Sequence, residues 1–122
     1  MKLHITIETH DSKLDCDLFE AAKVSASQEK AIADGISIQL VNYLLREEVD
    51  FPTILNVIAY TGQNVVSPFA ISILSSYLYD KLAKRRDNKL TINNKSVEIN
   101  IEKIEQLITN IANEEKDDMT LW

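Results

Sequence analysis

Glycine is almost missing from this chain: Gly35 and Gly62 are the only two among 122 residues. A loop that cradles phosphate needs several glycines in a short span, so a nucleotide site of that kind is excluded. Proline is as scarce, at Pro52 and Pro68, while 45% of the residues are hydrophobic. That balance excludes a disordered or low-complexity chain. One cysteine, Cys16, excludes an internal disulfide framework and fits a reducing compartment. The opening MKLHITIE alternates instead of building an apolar leader, so a cytoplasmic protein is expected.

The groups that chemistry needs are also few. His4 and His10 are the two histidines, and neither stands in a motif, so both read as surface residues. The serines fall at caps or inside helical spacing, without a Gly-x-Ser-x-Gly elbow. Asp11, Asp15 and Asp17 lack the spacing and the glycine of a calcium loop, and read as a solvated acidic edge. Cys16 lies between Asp15 and Asp17, whose charges oppose a thiolate, and is expected to be buried and inert. No catalytic, cofactor-binding or metal-ligating residue is assigned, and the chain reads as a protein that is not an enzyme. The net charge of −6 opposes nucleic-acid binding, which relies on lysine and arginine meeting phosphate. The acids are too diluted for a nucleic-acid mimic.

Charge itself is absent between Phe51 and Tyr79, and this stretch organises the rest. As a membrane span it is interrupted by Gly62, Gln63, Asn64 and Pro68. A soluble core is therefore preferred, and a membrane-associated protein inserting residues 54–79 is the alternative. Asp50-Phe51-Pro52 looks like one helix start and Ser67-Pro68 like another, with proline early in the first turn. Thr61-Gly62-Gln63-Asn64 reads as the exit between them. In the second helix Phe69, Ala70, Ile73, Leu74, Tyr77, Leu78 and Leu82 recur at three- and four-residue spacing. Ser72, Ser75 and Ser76 lie off that stripe, on a narrow face that either meets another backbone or faces water. The basic cluster of Lys81, Lys84, Arg85, Arg86 and Lys89 suits the last turn of a soluble helix.

Around this centre, Leu3, Ile5 and Ile7 alternate with His4, Thr6 and Glu8, which predicts a half-buried strand. Leu14, Cys16 and Leu18 alternate with Asp15 and Asp17, suggesting its hairpin partner. Residues 19–48 admit two readings. Helical spacing runs through Ile32, Ile36, Leu40, Tyr43 and Leu44, but Asp34-Gly35 is a turn dipeptide and 36–40 alternates like a strand. The helix is favoured because Val41 to Glu48 continues it. Farther on, Leu90-Thr-Ile92 and Val97-Glu-Ile99 flank a turn placed at Asn94-Lys95, pairing Ile92 with Val97. Asn100 then caps a helix carrying Ile101, Ile104, Leu107, Ile108 and Ile111.

The expected architecture is one α+β domain over 1–118, two β-hairpins packed with four to five helices, and a tail at 119–122. YLYDKLAKRR at the end of an apolar helix, the KLTINNKSVEIN hairpin and the final amphipathic helix together resemble something known. Residues 54–113 resemble the small constant components encoded beside variable effectors in bacterial conflict systems. The resemblance rests on architecture and composition and implies a non-enzymatic adaptor in defence, with no catalytic residue to carry over. The function expected is protein–protein interaction, with a partner protein or as a homodimer. The contact is expected through Ser72, Ser75, Ser76, Tyr77 and Tyr79, with Leu121 and Trp122 as anchors.

Overall fold

The first strand, β1 (Lys2–Thr9), alternates as its sequence predicts, burying Leu3, Ile5 and Ile7 and exposing Lys2 and His4. It lies inside a six-stranded sheet in which every pairing is antiparallel. On one side it pairs with β4 (Thr53–Thr61), from Lys2 opposite Tyr60 to Thr9 opposite Thr53. Beyond β4 come β3 (Ile36–Leu44) and then β2 (Glu29–Ala33) at the edge. On its other side lie β5 (Lys89–Ile92) and the short edge strand β6 (Lys95–Val97). This computed structural model describes residues 1–11, 13–44, 52–62, 67–84 and 88–120, with side chains as far as Glu114.

Three helices, α1 (Leu14–Phe19), α2 (Pro68–Leu82) and α3 (Ile101–Thr120), cover one face of the sheet. Leu14, Leu18 and Phe19 from α1, Ile71, Leu74, Leu78 and Leu82 from α2, and Ile104, Ile108 and Ile111 from α3 pack on that face. They meet Leu3, Ile5, Ile7, Ile38, Leu40, Leu55, Val57, Leu90 and Ile92 in one cluster. Each such side chain contributes about 1.5–3 kcal/mol by leaving water. The helix starts follow from the sequence. The Ser67 hydroxyl accepts from the Ala70 N–H at 3.1 Å with Pro68 behind it, and the Asn100 side chain accepts from the Glu102 and Lys103 N–H groups.

The expectation of two hairpins packed with four to five helices is corrected: the described residues form six strands in one sheet and three helices. Residues 53–61, read as a helix, form β4 in the interior of the sheet. Apolar groups on both of its faces blur the alternation into helical spacing. The favoured helix through 36–44 is also a strand, β3, returning from β2 through Asp34 and Gly35, where Gly35 takes φ +76°. Residues 14–18, read as a returning strand, are instead α1, so the expected first hairpin does not form. The second hairpin does form, but its register is shifted. Asn93 and Asn94 are the turn, both at positive φ, so Leu90 faces Val97 and Ile92 faces Lys95. α3 continues to Thr120, two residues into the expected tail. Among the described residues no helix is long and apolar enough to cross a membrane.

Candidate functional site

Every alternate residue of the strands points away from the helices, onto a face that no described element covers. β1 places Lys2, His4, Thr6 and Glu8 there, and β4 places Ile54, Asn56, Ile58 and Tyr60. In β3 the register slips between Leu40 and Asn42, leaving Val41 as the extra residue. This bulge turns Asn42 and Leu44 onto the uncovered face, where Asn42 faces Asn56 and Leu44 faces Ile54. Leu44 is 52% exposed, whereas Ile54, Ile58 and Tyr60 are half-buried by their neighbours.

The polar residues on this face bond to one another. The Asn56 amide donates to Asn42 Oδ1 at 2.7 Å, and the Thr6 hydroxyl donates to Asn56 Oδ1 at 3.2 Å. The Tyr60 hydroxyl donates to Gln39 Oε1 at 3.2 Å, while the Lys2 ammonium stands 5.8 Å from the Tyr60 ring centre. Fixed strands and cross-strand bonds hold these side chains in place before any partner arrives. The surface is part apolar and preorganised, which suits another macromolecular surface.

No family model, characterised protein or solved structure matches this chain.

The described residues expected to bind a partner divide between the surface and the interior of α2. Ser72 and Ser76 are exposed on α2, but Ser75 is fully buried, and its hydroxyl finds no hydrogen-bond partner among the described residues. A side chain so placed cannot touch another protein. Tyr77 is half-buried and its hydroxyl donates to the Leu18 carbonyl, tying α2 to α1. Burial, then the carboxylates of Glu20 and Asp80, push the Tyr77 phenol up to about 12. Tyr79 is 40% exposed on α2. Leu121 and Trp122 lie outside the described residues, as do Arg85 and Arg86 of the basic cluster. The structure thus leaves Ser72, Ser76 and Tyr79 on the surface of α2 and draws Ser75 and Tyr77 inward.

Sequence reading missed the uncovered face, because it required β3 and β4 to be strands. The signal that could have found it is the β-branched content of TILNVIAYT, where Thr53, Ile54, Val57, Ile58 and Thr61 favour a pleated surface.

Elsewhere, α1 meets α2 at a charged corner. Glu20, just past α1 with φ 51°, bridges Lys81 and Lys30 at 3.1 Å each. Hydrogen bonds from Lys81 and Lys30 hold its carboxyl below the ordinary value. Cys16 is half-buried on α1, its thiol directed at the Ala22 carbonyl at 3.5 Å. Partial burial and the Asp15 carboxylate raise its pKa, opposing the nucleophilic thiolate. Asp15 and Asp17, expected to share a strand face, instead sit two apart on a helix and diverge around it. Among the described residues no three His, Cys, Asp or Glu side chains are gathered as a metal site. A cavity of about 350 Å³ lies between the β2–β3 turn and α2, lined by Ile36, Thr61, Phe69 and Ile73.

Proposed function

We propose that this chain is a non-enzymatic interaction module whose uncovered sheet face binds protein, either a second copy or a foreign partner. One observation carries the reading: Leu44, Ile54, Ile58 and Tyr60 stand on rigid strands among polar side chains that bond to each other. A face that only met water would gain little from holding its amides in cross-strand bonds. A face that is covered on binding gains from it, since bonded amides can be desolvated at lower cost. The reading extends to an adaptor in a bacterial conflict system, supported only by the resemblance of residues 54–113. It puts the chain in the cytoplasm, supported by the single cysteine. Nucleic acid is disfavoured as the partner by the net charge of −6.

A photo-crosslinking amino acid placed at Ile58, and separately at Ser72, tests this in cells expressing the chain. The expected result is a covalent protein adduct from position 58 and none from position 72. Adducts from position 72 alone would move the site to α2 and overturn the reading.

A further inference from the structure

We infer that the occupant of the uncovered face is a second copy of this chain. The two sheets would stack face to face about a two-fold axis running across the strands, between the His4 and Thr6 rows. The inference rests on the interaction reading above and names its partner.

Charge carries the argument. The chain as a whole has net charge −6, so most of its surface repels a second copy. The uncovered face is different: Lys2 and Lys89 balance Glu8 and Glu29 there. Two copies meet on this face without net repulsion. The charges are also arranged in order. β1 carries Lys2 at one end and Glu8 at the other, on the same side of the strand. Six residues of strand separate them by about 20 Å, too far to pair within one chain. The two-fold axis reverses the strand, which lays Lys2 of each copy over Glu8 of the other. Two symmetric ion pairs result. Glu8 is half-buried and lies beside Lys89 in the cross-strand register, yet it has no ion pair among the described residues. Its carboxylate is therefore available.

The same operation lays Tyr60 over Ile54 of the second copy, and Ile58 over Asn56, whose amide is already bonded to Asn42. Apolar groups meet an aromatic ring at both ends of the contact, and the middle row is a ladder that brings its own hydrogen bonds. Aligned sheets stack about 10 Å apart with strands within about 30° of one another, which such an axis permits. Strands of these lengths make a face of about 600 Å², near the 800 Å² or so that each partner gives to a standard stable interface.

Light scattering over a range of concentrations, with reciprocal charge swaps, is the test. The wild-type chain should move from 13.9 kDa towards twice that mass as concentration rises. Lys2→Glu and Glu8→Lys should each weaken the dimer by about tenfold or more, because each places like charges opposite one another twice. The double variant Lys2→Glu/Glu8→Lys should recover the dimer, which a loss of folding could not do. Ser72→Glu should leave it unchanged. A dimer indifferent to both single swaps, or one not restored by the double variant, overturns this arrangement. A mass fixed at that of one chain also overturns it. If the crosslinker at position 58 then still captures another protein, the interaction reading survives without self-pairing. If it captures none, both fall.

Discussion

The two faces of the sheet are made by the same strands, residue by residue in alternation, and they differ almost completely in composition. Towards the helices stand Leu3, Ile5, Ile7, Leu55, Val57, Leu90 and Ile92, and the polar strand groups buried with them are the threonines Thr9 and Thr61. Towards the other side stand Lys2, His4, Thr6, Glu8, Asn56 and Gln39, with Ile54, Ile58 and Tyr60 among them. The first face carries the folding free energy. The second is free to carry recognition, because changing it costs the fold little. Two-layer proteins with one uncovered sheet face commonly show this division.

Substitution on adjacent residues of one strand is the strongest way to break the comparison. Ile5 is 1% exposed, opposite Val57 on one side and Ile92 on the other. Ile5→Ala removes buried methyl groups and leaves a cavity, so it should lower stability by about 2–5 kcal/mol. Thr6→Ala, one residue along, loses its bond to Asn56 and should cost only about 0.5–1.5 kcal/mol. Denaturant midpoints of the two variants check this. Equal losses would mean that the second face is also part of the core.

A smaller effect, of opposite sign, sharpens the same contrast. Ser75 sits on the covered side of α2, fully buried, with a hydroxyl that no described group satisfies. Burying an unbonded hydroxyl costs free energy, and alanine is the better helix former. Ser75→Ala should therefore raise stability by about 1 kcal/mol, read as a higher melting temperature. A destabilised variant would show that the hydroxyl has a partner that matters.

How far the sequence disclosed this architecture depended on where each element sits. β1 flanks water on one face only, so its alternation was clean and legible. α2 and α3 announced themselves through Ser67-Pro68 and Asn100. β4 lies between β3 and β1, and Ile54, Leu55, Val57, Ile58 and Ala59 serve both of its faces. Helical spacing and strand content then coincide, and Pro52 reads equally well as a helix start or as the residue before a strand. In β3 the bulge at Val41 broke the alternation of Ile36, Ile38 and Leu40 at the point where it would have settled the matter. α1 spans only six residues, over which Leu14 and Leu18 fit either period. The hairpin was visible, but two adjacent asparagines compete with Asn94-Lys95 for the turn, and only pairing decides the register. The candidate face depends on β3 and β4, so a helical reading of those two segments hides it.

The smallest expected effect lies at the rim, where the covered face meets water. Glu20 joins three elements: it ends α1 and bridges Lys81 on α2 and Lys30 on the edge strand β2. Its carboxyl is held below its ordinary value, first by the hydrogen bond from Lys81 and then by that from Lys30. A carboxyl that is more acidic in the folded chain contributes stability at pH values above its unfolded value. That contribution is lost as pH falls through the lowered folded value, when the carboxylate is protonated and both ion pairs to Glu20 are broken. Glu20→Gln cannot titrate. It should be slightly less stable than the wild type at neutral pH, and the difference should vanish on acidification below the lowered folded value. Both side chains of each pair are partly exposed, so added salt should shrink the neutral-pH difference as well. Melting temperatures of the two proteins, followed from neutral pH downward at low and high salt, give the readout. A difference that persists unchanged at low pH would assign the role of Glu20 to its left-handed backbone position after α1, and not to its charge.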